Sequence, residues 1–166
     1  MTDMNHPAML WLWPELTDEL PELVDLLGSF AQLDSRNLSR SQLMDHIGGY
    51  EILVPRLEHE IDAAVLDAAP RLRVLATPST GTDHIAVGEA ERRGIHIVSI
   101  KEDREFLDSV QSTAELAWLL ILACSRNLRA CLTQVSGGGW QRQAVRGHDV
   151  IGRTLGIVGY GGWAGW

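Results

Sequence analysis

The sequence predicts an α/β protein: a parallel β-sheet covered by helices on both faces. Short apolar runs alternate along the chain with amphipathic segments of helical period. The apolar runs are continuous, as strands buried on both faces require. Prolines and glycines stand at the joints between the segments and fix where each one stops.

Met9 to Trp13 is an apolar run ended by Pro14 and reads as the first strand. Leu16, Leu20, Leu23, Val24 and Leu27 recur at helical spacing, and Gly28 closes that helix. Phe30 to Leu33 reads as a second strand. Ser39 or Ser41 then caps a helix carrying Leu43, Met44 and Ile47. Glu51 to Val54, stopped by Pro55, is a third strand. Ile61, Ala64, Val65 and Ala68 line one face of a helix that ends before Pro70. Arg73 to Thr77 is a fourth strand, followed by a glycine turn and a helix ending at Gly94. Ile95 to Val98 is a fifth. Sheets of this kind place ligands beyond the carboxyl ends of their strands. The loop after the fourth strand is therefore the first candidate site.

After Ile100 the pattern changes. Lys101 to Leu107 is charged and reads as irregular. A long helix is expected from Ser112 to about Leu132. Ser112-Thr113-Ala114-Glu115 fits a capping box at its start. Leu116 to Cys124 is apolar on every side, so this helix is expected to be buried all round, between domains or subunits. Ser136 to Gly139 breaks it. Thr154 to Val158 reads as one more strand, running into a glycine turn. A domain boundary near residue 105 follows, giving one domain over 1–105 and the start of another over 106–166.

Composition excludes several classes. Of 166 residues, 45 % are apolar and 22 % charged, values ordinary for a globular domain. The net charge of −8 disfavours nucleic acid and anionic membrane as partners. Cys124 and Cys131 lie about two turns apart along the expected helix, too far for a disulfide. They read as two buried thiols, and no metal-ligand spacing occurs. Met1 to Pro7 lacks the basic stretch of a signal peptide. The run Leu116 to Cys124 is too short to span a bilayer. A cytoplasmic protein is expected.

Two glycine motifs carry chemistry. Gly159-Tyr160-Gly161-Gly162-Trp163-Ala164 matches G-x-G-x-x-[G/A] directly after an apolar strand. Gly159 permits the tight turn, Gly161 lets a pyrophosphate approach the backbone, and Ala164 lets a following helix pack closely. Taken alone, the motif reads equally as a glycine-rich turn without a nucleotide. Pro78-Ser79-Thr80-Gly81-Thr82-Asp83 follows the fourth strand. Small residues around a glycine leave backbone N–H groups able to hold an anion, with Asp83 placed to cap the next helix. Local sequence favours an ordinary strand-to-helix turn here. His84 reads as a surface histidine and His96 as a core or edge residue of its strand. Asp103 and Glu105, interleaved with Lys101 and Arg104, read as a solvated loop. No catalytic residue is assigned.

Leu75 to Ile85 resembles the substrate loop of the NAD-dependent D-isomer-specific 2-hydroxyacid dehydrogenases, the group that includes phosphoglycerate dehydrogenase. The resemblance continues in order. It takes in Gly94-Ile95-His96-Ile97-Val98, Asp103 to Leu107, and Ser112 to Glu115. Beyond these lie Arg126-Asn127-Leu128, Gly139-Trp140, and Gly152 to Gly161. Before Leu72 it is architectural only.

The resemblance implies a flavodoxin-like substrate domain joined to the first strand and glycine turn of a Rossmann domain. It implies hydride transfer between NAD and a small 2-hydroxy or 2-oxo acid. Ser79, Thr80, Gly81 and Thr82 would hold the substrate carboxylate, and Gly159, Gly161 and Ala164 the cofactor. A homodimer through the crossover helix is implied for the full-length form. The family's catalytic arginine, its acidic partner and its histidine all follow the glycine turn. None of the three is assigned within this sequence, so an inactive, truncated chain is expected. Residues 162–166 also depart from the family pattern, with the bulky Trp163 in the turn. A non-catalytic flavodoxin-like module that binds a carboxylate or a protein partner is the rival reading. A third is an oligomerisation partner that uses the bare helix.

Overall fold

The computed structural model describes residues 6–158. The chain divides into two compact units, Met1–Glu102 and Asp103–Trp166.

Unit one holds five parallel strands: β1 (Ala8–Trp11), β2 (Gln32–Ser35), β3 (Ile52–Val54), β4 (Val74–Thr77) and β5 (His96–Ser99). Their order across the sheet is β2-β1-β3-β4-β5, the flavodoxin-like doubly wound order. The chain steps outward from β1 to β2, then returns to the other side of β1 as β3. The sheet order therefore reverses between β1 and β3, and a crevice opens there at the carboxyl edge. Register is set in the centre by Met9, Leu10 and Trp11 opposite Ile52, Leu53 and Val54.

Alternation along the strands builds two cores. Leu10, Leu12, Leu53 and Leu75 face one side, where they meet Leu43 of α3 (Arg40–His46), Val65 and Leu66 of α4 (Ala63–Asp67) and Ala90 of α5 (Val87–Arg92). Met9, Trp11 and Val54 face the other, against Leu27 of α2 (Pro21–Gly28). The expected helix from Leu16 to Gly28 is in fact two, because α1 (Pro14–Glu19) stops before α2 begins. Leu20 between them has φ −126° and ψ 77°. The ring of Pro21 drives the residue before it out of the helical region.

Other expectations shift for identifiable reasons. The second strand begins at Gln32, since Phe30 and Ala31 close the turn after α2 by bonding back to Leu27. Ser39 is the cap of α3 and forms a capping box with Gln42. Ile61 does not join α4. It pairs as an isolated parallel bridge with Ile85, and Asp62 caps α4 instead, accepting from the N–H groups of Ala64 and Val65. Asp83 does not cap α5. The Ile61–Ile85 bridge holds the chain extended, so α5 begins only at Val87, behind Ala86.

Unit two is helical: α6 (Arg104–Ser109), α7 (Ser112–Ser125) and α8 (Leu128–Ser136). The stretch expected to be irregular contains α6, capped by Asp103, which accepts from the Phe106 N–H. The capping box expected at Ser112 does not form. The helix starts behind Gln111, and the Glu115 N–H already bonds the Gln111 carbonyl, so the Ser112 side chain has no cap to make. The expected single helix breaks at Asn127, which takes φ 52°.

Leu116, Trp118, Leu119, Leu120 and Leu122 are exposed, between 43 % and 57 %. The all-round cover expected of this helix is absent among the described residues. Cys124 is likewise exposed and Cys131 half-buried, so neither is a buried thiol. By length and composition the 22-residue stretch Arg104–Ser125 could cross a membrane, but Val110 is extended. The unbroken part, α7, has 14 residues, about 21 Å of helix against roughly 30 Å of hydrocarbon. Thr154 to Ile157 forms no strand. A ladder needs a neighbour, and none among the described residues pairs with it; Leu155 and Ile157 are exposed.

Candidate functional site

The loop after β4 lies at the carboxyl edge of the sheet, where Thr77 ends the strand. Its hydroxyls fix its shape. The Ser79 hydroxyl lies 2.6 Å from the Gly81 carbonyl and donates to it. Having spent its one proton there, it can only accept from Thr77, whose buried hydroxyl is 3.0 Å away. The carbonyls beyond are also engaged: Thr82 accepts from the Ile85 N–H at 2.9 Å, and His84 from the Ile61 N–H at 2.8 Å.

The amides behave in the opposite way. Among the described residues, none of the backbone N–H groups from Ser79 to His84 has a hydrogen-bond acceptor. The carbonyls of Gly81, Thr82 and His84 are taken, while those of Ser79, Thr80 and Asp83, like the amides, have no partner among the described residues. Amides without acceptors can hold an anion where their N–H groups converge on it. Ser79, Thr80, Gly81 and Thr82 all fall in this one loop. Gly81 is exposed and does not have a positive φ. A Cβ there would stand 3.4 Å from the Asp83 carboxylate, an ordinary contact with a movable side chain. Gly81 is therefore not required by the fold.

His84 is not the plain surface residue expected. Its Nε2 is buried without a partner among the described residues, and burial pushes its pKa below the ordinary value of 6.5, opposed only by Asp83. His96 lies exposed on the edge strand β5. Gly159, Gly161 and Ala164, the expected nucleotide turn, lie outside the described residues. In unit two a cleft of about 660 Å³ is lined by residues that include Trp118, Ile121, Val150 and Leu155. Its walls are chiefly apolar.

A second rim loop escaped the sequence reading. Pro55 to Glu60 leaves the end of β3, the neighbour of β4. The two loops begin on paired strands and are tied again where Ile61 meets Ile85. On the first loop Arg56 places Nη1 3.0 Å from Oε1 of Glu15 and Nε 2.5 Å from Oε1 of Glu58. Glu15 belongs to α1, directly after β1, so this cluster spans the β1/β3 crevice. Only the strand order reveals that crevice, which is why the sequence alone pointed to β4 and no further.

The model of the D-isomer specific 2-hydroxyacid dehydrogenase catalytic domain matches residues 16–151. The chain belongs to this family. Among its relatives, the glyoxylate reductase of Thermococcus onnurineus is 36 % identical over 135 residues. The match covers 77 % of this chain and 39 % of that protein. The hydroxypyruvate reductase of Thermotoga maritima is 31 % identical over 130 residues, covering 78 % and 41 %. The chain thus spans about two fifths of the length of these curated relatives. A crystal structure of a Thermus thermophilus protein superposes with TM-score 0.74 at 27 % identity, over 95 % of this chain and 50 % of that one. The D-lactate dehydrogenase of Aquifex aeolicus, solved with NAD and lactic acid, gives TM-score 0.69 at 20 % identity, over 86 % and 41 %. That last likeness is one of fold.

Proposed function

We propose that this chain supplies the carboxylate-binding wall of an NAD-dependent oxidoreductase acting on a small D-2-hydroxy acid or the corresponding 2-oxo acid. One observation carries the reading: the run of amides without acceptors from Ser79 to His84, held open by the Thr77–Ser79–Gly81 hydroxyl relay. A carboxylate seated there replaces water as the acceptor, and the adjacent 2-oxo carbon is then fixed relative to the sheet edge. Orienting the reacting carbon in this way is the part of catalysis a rigid loop can provide. NAD supplies the hydride when bound, and by resemblance Gly159, Gly161 and Ala164 hold its pyrophosphate.

Membership of the family and the order of its motifs support the activity. The proton-transfer histidine and the carboxylate-orienting arginine are not assigned to any residue of this chain. We therefore expect the 166-residue chain alone to bind acids weakly and turn none over. In the full-length form, the exposed face of α7 is the surface we assign to a homodimer contact.

Amide NMR on the chain tests the carboxylate wall. Adding oxalate or pyruvate should shift the resonances of residues 79–84, with weak, millimolar affinity. Gly81→Val should abolish those shifts while the rest of the spectrum stays in place, because a side chain there covers the amides and not the core. Shifts centred elsewhere, or unchanged in the variant, would leave this loop as an ordinary turn.

A further inference from the structure

We propose that Glu15 and Glu58 form a charge filter at the rim of the carboxylate loop. By occupying Arg56, they select substrates with a single negative charge over those carrying a second anionic group. The inference rests on the reading of Ser79 to His84 as the carboxylate site.

The geometry begins with neighbouring strands. β3 and β4 are paired, with Leu53 opposite Leu75, and adjacent strands lie about 4.8 Å apart. The loops that leave their carboxyl ends are tied again at Ile61 and Ile85. A five-carbon acid held by its first carboxylate at the β4 loop is long enough to reach over the β3 loop. The crevice at the β1/β3 reversal is where such an acid would extend.

What it meets there is set by Arg56. An open guanidinium at this point would welcome a second carboxylate or a phosphate. Here the guanidinium is taken twice, by Glu15 at 3.0 Å and by Glu58 at 2.5 Å. One cation between two carboxylates leaves the rim with a net negative charge. Both glutamates are well exposed, at 58 % and 61 %, so their charge is open to solvent and to an incoming anion.

The other arginines of this edge are occupied as well: Arg36 by Asp34, and Arg40 by Asp62. Lys101 lies past the end of β5, on the other side of β4, and has no carboxylate within 4.0 Å among the described residues. It is a position from which a distal anion could be captured against the filter.

The test uses amide NMR titrations of the 166-residue chain with pyruvate and 2-oxoglutarate at pH 7. The two share the 2-oxo carboxylate head and differ in the distal charge. Both should shift residues 79–84, with 2-oxoglutarate the weaker. The ratio of its Kd to that of pyruvate should fall by about two- to fivefold in the double variant Glu15→Gln/Glu58→Gln, the scale of exposed ion pairs. Each single variant should lower it in part. In 0.5 M NaCl the wild-type ratio should also shrink, because exposed charges are screened.

If 2-oxoglutarate binds the wild type as tightly as pyruvate, the carboxylate loop stands and the filter falls. The same holds if the ratio does not move in the variants. Capture of the distal charge by Lys101, shown by a loss of 2-oxoglutarate affinity in Lys101→Gln, would overturn the filter too. If neither acid shifts residues 79–84, the carboxylate reading itself is wrong and the filter goes with it.

Discussion

The two units use similar sequence signals and reach different ends. In unit one, the apolar face of every central strand finds a cover, and Leu10, Leu53 and Leu75 are wholly buried. In unit two α7, the most apolar helix among the described residues, keeps its leucines in solvent, and Leu119 is 57 % exposed. Hydrophobic content alone therefore does not make a core. A core forms where strand pairing first arranges apolar residues on two faces and helices then close over them. The proposed carboxylate loop belongs to the unit that solved this problem and is anchored there by the Ile61–Ile85 bridge.

The largest expected effect comes from setting one leucine of each unit against the other. Leu10→Ala empties a site on a central strand and should cost about 2–5 kcal/mol in urea unfolding followed by circular dichroism. Leu119→Asp should change the same transition by less than about 0.5 kcal/mol. It should also lower the binding of a hydrophobic dye and the mass seen by light scattering. A comparable loss from both variants would mean that α7 is buried in solution and that the contrast between the units is false.

A finer comparison uses two serines with the same motif. Ser39 and Ser112 each stand three residues before a Gln or Glu, at Gln42 and Glu115. Ser39 makes its cap, while the Ser112 side chain makes none. Ser39→Ala should therefore cost about 1 kcal/mol, and Ser112→Ala close to nothing. Equal costs would show that the capping box forms in both units.

These pairs also mark how far the sequence was readable. The strands were legible because Pro14 and Pro55 stop apolar runs that have nowhere to go but a sheet interior. The loop at Ser79 to Thr82 was legible as small residues after a strand. Its open amides were not, since they depend on where the carbonyls of Thr82 and His84 turn. The Ile61–Ile85 bridge joins residues of two different expected helices, and no periodicity announces it. Arg56 and Glu15 lie far apart in the chain and meet only because β1 and β3 are neighbours. The motif at Ser112 misled because a capping box needs the helix to begin just after that residue, and here it begins one earlier.

The most direct measurement is made on residues 1–102 alone. If the carboxylate wall is a property of unit one, this piece should unfold in a single cooperative transition. Oxalate should shift the amides of residues 79–84 as it does in the 166-residue chain, with a Kd within about twofold. A piece that fails to fold, or that folds and no longer responds to oxalate at those amides, would contradict the claim that unit one builds the wall by itself.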